Sequence, residues 1–345
     1  GEESEAPEMF SRSKQARFLR SCLRDALPEQ MAGLDCNRMT IAYFCVSGLD
    51  LLGELTEEDM NATTKWVLSL QIVPKTSTAP GGFRGSTFFA ASQESGREAW
   101  DLGHIAMTYT ALAVLKICKR GLEDVNVAGV RALVKAVQDS DGSFRPHAGE
   151  CERDVRFLFC AAACCHLISD WRTFDKDRAV ENLLSCVSHE GGFGLHPGLE
   201  AHGGSTYCSV AALALMGKLE ALGPDRKERL VEWCLKRQVG GFQGRINKDA
   251  DSCYSFWIGA TLHMLGASAF VDADGSRAFS STCESGRTGG FGKAPQARPD
   301  VLHTYMALSG FSLSAEAGSA HADVGLKTLC APLGVTTGSA GDLFI

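Results

Sequence analysis

The sequence lacks the features that mark several common classes of protein. Its 14 cysteines include no C-x-x-C pair, so the usual spacing of a structural zinc knuckle is missing. It has no basic block, and its 34 lysines and arginines are outnumbered by 41 aspartates and glutamates, which argues against binding of nucleic acid. The longest nearly apolar run, residues 157–168, is shorter than the roughly 20 residues that span a bilayer. We therefore expect no transmembrane segment, and we find no convincing strand pattern either.

What is present is typical of a globular protein with a large core: 45% of the residues are hydrophobic and 22% are charged. Several cysteines lie within apolar helical segments, among them Cys45, Cys118, Cys160, Cys164, Cys165 and Cys208. Free cysteine is among the most buried residue types, and cytosolic thiols stay reduced. We therefore expect buried, reduced thiols in a cytoplasmic protein.

A glycine–phenylalanine motif recurs along the chain, at residues 81–83, 142–144, 191–193, 240–242 and 289–291. The intervals between its phenylalanines are 61, 49, 49 and 49 residues. The first interval is longer by 12 residues, which we assign to the polar segment 91–102. Such a fixed period is the signature of a repeat architecture.

Each repeat contains two kinds of helical segment. The first kind is apolar on nearly all sides and predicts a buried inner helix; these segments lie near residues 40, 104, 156, 205, 254 and 304. The second kind is amphipathic and predicts an outer helix; these segments are 57–71, 125–138, 174–188, 225–238 and 274–284, with a sixth either at 321–331 or in an N-terminal helix. The glycines that follow end the outer helices.

Six helical hairpins with buried inner helices predict an all-α protein, an α6/α6 barrel (toroid) with a repeat of roughly 49 residues. An open solenoid is the alternative, but a solenoid needs polar end repeats, which we do not find in the sequence. We expect a single domain over residues 1–345, with tails at about 1–10 and about 335–345.

When the sequence is aligned with itself after a shift of 49 residues, chemically active residues fall in the same columns of the alignment. His202, Asp251 and Asp300 share one column, and Cys253 and His303 fall in the columns just after it. Since all inner helices run in the same direction, these columns meet at one rim of the barrel. Carboxylate, thiolate and imidazole all bind Zn²⁺, and three protein ligands leave the open fourth position of a catalytic site. Asp251, Cys253 and His303 are therefore candidate zinc ligands; the alternative is a helix cap, a buried thiol and a rim histidine without a metal.

Further polar residues fall near the same rim: His202, Arg245, Lys248, Tyr254 and Lys293. Several potential cations in an acidic protein indicate an anionic ligand, unless they belong to an ordinary solvated loop. The inner helices also carry aromatic residues among small ones, at Tyr43, Phe44, Tyr109, Phe157, Phe159, Tyr207, Phe256, Trp257 and Tyr305. These residues either form core or line a lumen with space for a long apolar ligand. A cationic rim above an aromatic lumen suits an isoprenyl diphosphate.

Four segments carry a resemblance to a known family: 103–110 (GHIAMTYT), 201–208 (AHGGSTYC), 245–259 (RINKDADSCYSFWIG) and 299–310 (PDVLHTYMALSG). They resemble the β subunits of protein prenyltransferases, in particular those of the type I geranylgeranyltransferases, and the similarity runs from about residue 17 to residue 313. The resemblance implies a heterodimer with a helical-repeat α subunit. It also implies transfer of a C20 isoprenoid from geranylgeranyl diphosphate to the cysteine of a C-terminal CaaX motif, with X usually Leu, in proteins such as Rho-type small GTPases. The alternatives are a farnesyltransferase β subunit and a non-catalytic toroid that only binds a partner.

The resemblance implies roles for individual residues. It assigns one Zn²⁺ per β subunit to Asp251, Cys253 and His303, and the diphosphate to His202, Arg245, Lys248 and Tyr254. Lys293 stands where farnesyltransferases have an aspartate that helps to hold Mg²⁺, which implies that Mg²⁺ is not required. In the implied reaction a zinc-bound substrate thiolate attacks C1 of the diphosphate, and the implied catalytic set is Asp251, Cys253, His303, Lys293 and Tyr254.

The lipid and peptide pocket is implied in the same way. Thr40 stands where farnesyltransferases have a tryptophan, so it leaves depth for one more isoprene unit. The other implied pocket residues are His104, Ala106, Arg156, Phe157, Trp257, Leu302 and Met306. Met306 departs from the pattern of the type I enzyme, which has an aromatic residue there, and its flexible side chain changes the shape of the pocket.

Overall fold

The computed structural model of the chain describes residues 10–25, 29–76, 78–87, 101–149, 152–316 and 325–341. In chain order its α-helices are α1 (Arg12–Arg24), α2 (Arg38–Leu52), α3 (Glu57–Ser69), α4 (Ile105–Ile117), α5 (Val127–Val137), α6 (Val155–Leu167), α7 (Lys176–Ser185), α8 (Gly203–Leu215), α9 (Gly223–Leu235), α10 (Tyr254–Met264), α11 (Ala273–Thr282), α12 (Val301–Glu316) and α13 (Thr337–Ala340). Two-residue strands pair antiparallel as β1 (Gln71–Ile72) with β2 (Gly82–Phe83), β3 (Gln238–Val239) with β4 (Gly241–Phe242), and β5 (Leu329–Cys330) with β6 (Val335–Thr336). None of the helices in these ranges combines the length and the apolar character that crossing a bilayer requires.

Helices α2, α4, α6, α8, α10 and α12 form an inner ring whose residues are mostly buried. Each inner helix packs against the next, and α12 packs against α2. This last contact closes the ring, which confirms the predicted α6/α6 barrel and excludes the open solenoid. The sequences explain the burial: α8, for example, is GGSTYCSVAALAL and carries no charge on any side.

The outer helices α3, α5, α7, α9 and α11 alternate with the inner ones along the chain, as predicted. The sixth outer helix is α1, since Gln15 accepts a hydrogen bond of 2.7 Å from the backbone N–H of Gly290 in the last glycine–phenylalanine motif. The first helix of the chain therefore completes the outer layer. The other candidate was 321–331, where the described residues 325–331 contain no helix and residues 321–324 lie outside the described ranges.

The glycine–phenylalanine motifs turn the chain from each outer helix towards the next inner helix. Their phenylalanines are at most 2% exposed: Phe83, Phe144, Phe193, Phe242 and Phe291. Gly142 has a φ of 83°, and a Cβ added there would lie 2.2 Å from the carbonyl oxygen of Arg178 in α7, so only glycine fits. Two of the strand pairs form at this motif, and the sequence analysis missed them because strands of two residues are too short to show alternating polarity.

Of the extra segment 91–102, only residues 101 and 102 are described.

The C-terminal segment 325–341 packs at the end of the barrel opposite the N-termini of the inner helices. Asp50, near the end of α2, accepts hydrogen bonds from Lys327, Thr336 and Ser339 at 2.6, 2.7 and 2.8 Å. Val335 and Ala340 are each 1% exposed. The part of the expected C-terminal tail that is described, residues 335–341, is therefore packed rather than free, while residues 342–345 lie outside the described ranges.

Candidate metal centre and anion-binding rim

The rim is built from side chains that lie at the N-terminal ends of five consecutive inner helices. Each accepts a hydrogen bond from a backbone N–H two or three residues further on, at 2.9–3.2 Å: His104 from Ala106, Asp154 from Arg156, His202 from Gly204, Asp251 from Cys253 and Asp300 from His303. These hydrogen bonds fix the side chains at the helix ends, where the helix dipoles add positive potential. The repeat thus places polar groups of different chemistry around one opening.

Three of the predicted site residues meet at this rim. The ligand atoms that Asp251, Cys253 and His303 offer all lie within 4.8 Å of one another. Nε2 of His303 is 3.2 Å from Oδ1 of Asp251. Cys253 is buried and is the N-cap of α10. The structure therefore brings together the set that the 49-residue alignment singled out.

Asp300 is a site residue to which the sequence analysis assigned no role. Its Oδ2 is 2.7 Å from Nδ1 of His303, and its Oδ1 accepts a hydrogen bond from the His303 backbone at 2.9 Å. The carboxylate fixes the imidazole with Nε2 towards Asp251. A carboxylate that holds the second ring nitrogen is the usual support of a metal-binding histidine. Its place in the same column as Asp251, three residues before His303, was the available signal.

The protonation of the three residues fits the binding of a dication. Burial raises the pKa of Cys253 well above its usual value, and nearby Asp251 raises it further. Burial lowers the pKa of His303, but hydrogen bonds with Asp251 and Asp300 outweigh this and raise the pKa to about 9. Burial raises the pKa of Asp251, yet its hydrogen bonds with His303 and Cys253 lower it overall. Protons on Cys253 and His303 thus balance the carboxylates, a role that a bound dication takes over.

A histidine–tyrosine pair lies beside this centre. The hydroxyl of Tyr254 is 2.9 Å from Nε2 of His202. Because Nδ1 of His202 accepts from the backbone of Gly204, its hydrogen is on Nε2, which donates to the tyrosine oxygen. Burial lowers the pKa of His202, and Arg245 lowers it further, so the ring is neutral at pH 7. The hydroxyl hydrogen of Tyr254 is then available for an anion.

Two glycines allow Tyr254 to reach this position. A Cβ at Gly244 would lie 2.1 Å from Cζ of Tyr254, and one at Gly203 would lie 2.8 Å from its Cδ1. The backbones of the two glycines are joined by a hydrogen bond of 2.8 Å. Sequence analysis missed this clamp, although Gly203 follows His202 directly and Gly244 directly precedes Arg245.

The three remaining predicted cations lie in loops near the rim. Arg245 is paired with Glu200 at 3.2 Å, and the two side chains are 43% and 47% exposed. Lys248 and Lys293 are exposed. The carbonyl of Lys293 accepts a hydrogen bond of 2.9 Å from the backbone of Ser252, so its loop lies against the segment that carries Asp251 and Cys253. A solvated cation in such a loop is free to pair with an incoming anion.

Part of the predicted peptide pocket forms a second cluster on α4 and α6. The ring of His104 lies 6.0 Å from that of Phe157, and Cζ of Arg156 lies 5.4 Å from the Phe157 centroid. Arg156 is held by Asp154, with Nε 3.0 Å from Oδ1. Burial lowers the pKa of His104 to about 4, with a further contribution from His147. This cluster therefore places a neutral imidazole beside an aromatic ring. Ala106, the second residue of α4, is half-buried.

The other predicted pocket residues lie along the inner wall. Thr40 is half-buried, and its hydroxyl is 3.5 Å from the Met107 sulfur. Trp257 is half-buried and packs on Tyr207 with ring centroids 5.0 Å apart. Leu302 is half-buried, whereas Met306 is only 2% exposed. Met306 therefore influences the shape of the inner wall but offers almost no exposed surface to a ligand.

Comparison with known proteins agrees with this architecture. Residues 10–331 match the family described as the prenyltransferase alpha-alpha toroid domain. The chain is 39% identical to the geranylgeranyl transferase type-1 subunit beta of Arabidopsis thaliana, over 94% of this chain and 89% of that protein, and 36% identical to the protein of the same name from Dictyostelium discoideum, over 88% and 90%. A solved structure of the Candida albicans protein geranylgeranyltransferase-I complexed with GGPP superposes with a TM-score of 0.82 and 26% identity, covering 95% of this chain and 96% of that one. The chain therefore belongs to the prenyltransferase alpha-alpha toroid family.

Proposed function

We propose that this chain is the catalytic β subunit of a protein geranylgeranyltransferase type I. It would transfer a C20 isoprenoid from geranylgeranyl diphosphate to the cysteine of a C-terminal CaaX motif, with X usually Leu, in proteins such as Rho-type small GTPases. The observation that carries the proposal is the Asp251, Cys253 and His303 cluster beside the His202–Tyr254 pair, at one end of a barrel lined with aromatic residues. The relatives named above support the choice of activity.

One Zn²⁺ per β subunit is proposed as the cofactor. Asp251, Cys253 and His303 would hold it, and Asp300 would orient the imidazole. When bound, Zn²⁺ supplies the Lewis acidity that favours the thiolate of the substrate cysteine at neutral pH. Cys253 is buried and Asp251 is half-buried, which limits the access of water to these two ligands.

The rim would bind and stabilise the diphosphate. Tyr254 donates its hydroxyl hydrogen, and neutral His202 fixes the direction of that hydroxyl. Arg245, Lys248 and Lys293 add positive charge as negative charge grows on the leaving group. Lys293 repels a divalent cation, so we propose that Mg²⁺ is not required. No side chain needs to act as a general base.

Two alternatives lead to different expectations. A farnesyltransferase β subunit would prefer the C15 lipid; the small, half-buried Thr40 and the lysine at position 293 favour the C20 enzyme. A non-catalytic toroid would have no need for three metal-binding side chains within 4.8 Å beside an anion-binding pair. The relatives that are named geranylgeranyl transferase type-1 subunit beta also favour the C20 enzyme.

We also propose an obligate heterodimer with a prenyltransferase α subunit in the cytoplasm. The described cysteines are all free thiols, and most of them are buried, as expected for a reducing compartment. Within the described ranges, six large hydrophobic residues are exposed and are candidates for coverage by a partner: Leu34, Val73, Leu199, Val239, Ile246 and Phe270.

The test uses the heterodimer, with peptides that end in CaaX motifs and equal amounts of C15 and C20 diphosphates. We expect transfer of the C20 lipid to the peptide that ends in Leu, and one zinc per heterodimer. Cys253→Ala should lose most of the zinc and of the transfer while lipid binding remains, whereas Cys283→Ala, which removes a buried thiol from the end of α11, should keep both. A fully active protein without zinc would refute the cofactor, a preference for C15 would make it a farnesyltransferase, and lipid binding without transfer would favour the binding module.

A further inference from the structure

The loops at the rim are tied to the inner helices in a regular way. Near the start of four inner helices, a backbone N–H donates to the carbonyl two residues after the phenylalanine of the next glycine–phenylalanine motif, at 2.8–3.3 Å: Ile105 to Pro146, Val155 to Leu195, Gly203 to Gly244 and Ser252 to Lys293. The loop residue that comes next is His147, His196, Arg245 or Ala294. This position carries Arg245, a proposed diphosphate ligand, in the third loop. In the first loop it carries His147, to which the sequence analysis assigned no role.

The hydrogen bond from Ile105 to Pro146 brings the loop of His147 to the start of α4, beside His104. The centroids of the two imidazole rings are 6.3 Å apart, and the ring of His104 lies 6.0 Å from that of Phe157. Both histidines are half-buried. Two imidazoles and one phenyl ring therefore lie together in the predicted peptide pocket.

The hydrogen bonds of the two imidazoles determine which nitrogen carries the hydrogen. Nδ1 of His104 accepts from the backbone N–H of Ala106, and Nδ1 of His147 accepts from that of Gly149, both at 3.2 Å. An imidazole that accepts at Nδ1 carries its hydrogen on Nε2. Within the described residues neither Nε2 has a hydrogen-bond partner. The pair thus offers two N–H donors, which suit a hydrogen-bond acceptor rather than a metal ion.

This chemistry bears on the last residue of a bound CaaX peptide. A leucine side chain packs on an aromatic ring and leaves the N–H groups to water, which reaches them because both histidines are half-buried. A glutamine side chain is one bond longer and ends in a carbonyl oxygen, which an imidazole N–H can bind. An amide that is buried without a hydrogen bond is unfavourable, so a donor at this place decides whether glutamine is accepted.

We infer that His147 is a specificity-determining residue that, together with His104, lets the pocket accept glutamine as well as leucine as the last CaaX residue. The inference rests on the proposed function. The N–H of His147 binds the side-chain carbonyl of glutamine, while the methylene groups pack on Phe157.

The test uses the heterodimer with C20 diphosphate and two peptides that differ only in the last residue, Gln or Leu. We expect the wild type to modify both. In His147→Leu the ratio of kcat/KM for the Gln peptide to kcat/KM for the Leu peptide should fall about 2- to 10-fold, as for one neutral hydrogen bond. His147→Gln keeps an N–H donor at a similar reach and should retain most of the ratio. Binding of the same peptides with Ser in place of Cys, measured by fluorescence anisotropy, should follow the same order.

His196→Leu is the matched control. His196 occupies the equivalent position in the next loop, 49 residues later, and in the described part of the chain its ring contacts neither His104 nor Phe157. Its ratio should equal that of the wild type. Thermal unfolding checks that the variants fold; should His147→Leu not fold, His147→Phe, which also lacks the donor, decides in its place.

The other outcomes overturn the inference. A wild type that modifies only the Leu peptide, or an unchanged ratio in His147→Leu, would show that the donor does not serve glutamine. An equal loss for both peptides would show that His147 contacts a part that the peptides share, and an equal fall of the ratio in His196→Leu would show an unspecific effect of the rim. A wild type that modifies neither peptide refutes the proposed function instead, and this result differs from all the others.

Discussion

Asp300 offers the sharpest test of the metal centre. Its two carboxylate oxygens serve two donors of His303, the backbone N–H at 2.9 Å and Nδ1–H of the ring at 2.7 Å. In Asp300→Asn only one oxygen remains, and we expect it to keep the capping bond to the backbone. The amide NH₂ group then faces Nδ1 and turns it into an acceptor. The imidazole hydrogen moves to Nε2, the nitrogen that faces Asp251, so Nε2 has no lone pair to offer a metal.

The magnitude follows from the bond that is lost. A hydrogen bond to a charged group contributes about 1.5–3 kcal/mol, which corresponds to about a 10- to 100-fold weaker affinity for zinc. Loss of a carboxylate that supports a metal-binding histidine has effects of the same size. Zinc affinity of the heterodimer is measured by competition with a chromophoric chelator.

Asp154→Asn is the matched control for this experiment. Asp154 caps α6 as Asp300 caps α12, with a hydrogen bond of 2.9 Å to the backbone of Arg156, but no metal-binding histidine depends on it. Its zinc affinity should equal that of the wild type. If the two variants lose zinc equally, or if Asp300→Asn loses none, the argument from the orientation of His303 is refuted.

Two further predictions concern charge at the rim. Burial lowers the pKa of His104 to about 4, so as the pH falls the unfolded chain takes up a proton at this residue before the folded chain does. The contribution of His104 to the free energy of unfolding is therefore complete above about pH 6.5 and is lost as the pH falls towards 4. Relative to His104→Asn, which keeps a capping side chain, the wild type should lose about 3 kcal/mol more between pH 7 and pH 4 in urea unfolding; parallel curves for the two proteins would contradict this. Lys293→Asp should slow single-turnover transfer on the order of 100-fold without Mg²⁺ and recover with millimolar Mg²⁺, since the carboxylate can then help to hold the ion against the diphosphate. The role given to Lys293 would be wrong if transfer by the wild type required millimolar Mg²⁺, or if the rate of the variant did not change when Mg²⁺ was added.

The barrel could be predicted from the sequence because its repeat is long and regular. Inner helices such as α8 are apolar on all sides, outer helices are amphipathic, and the phenylalanines mark each turn, so the order of the helices follows directly. The metal cluster could be predicted for the same reason. Equivalent columns of a closed repeat meet at one rim, which brings Asp251, Cys253 and His303 together from positions up to 52 residues apart.

What could not be predicted depends on contacts outside the repeat. The sixth outer helix is α1, and its choice over 321–331 depends on a hydrogen bond between Gln15 and Gly290, for which no local pattern exists. The position of the turn 331–334, between β5 and β6, could not be predicted either, since only the closed barrel brings the carbonyl oxygen of Gly334 to the hydroxyl of Tyr43. Asp300 lay in an aligned column, but an aspartate before a helix is commonly only a cap, and its second bond to His303 needs the three-dimensional arrangement.

Closure of the outer layer by α1 has a consequence for the way the protein is made. Gln15 leaves the ribosome early, whereas its partner Gly290 is synthesised 275 residues later. During this time α1 and α2 lack the last hairpin against which they pack, and their apolar faces stay open to other chains. Contacts of such long sequence separation slow folding and expose intermediates to aggregation. We therefore expect the nascent chain to depend on chaperones until the last hairpin has emerged. A circular permutant that begins at α3 and places α1 and α2 after the C-terminal segment should fold with less delay.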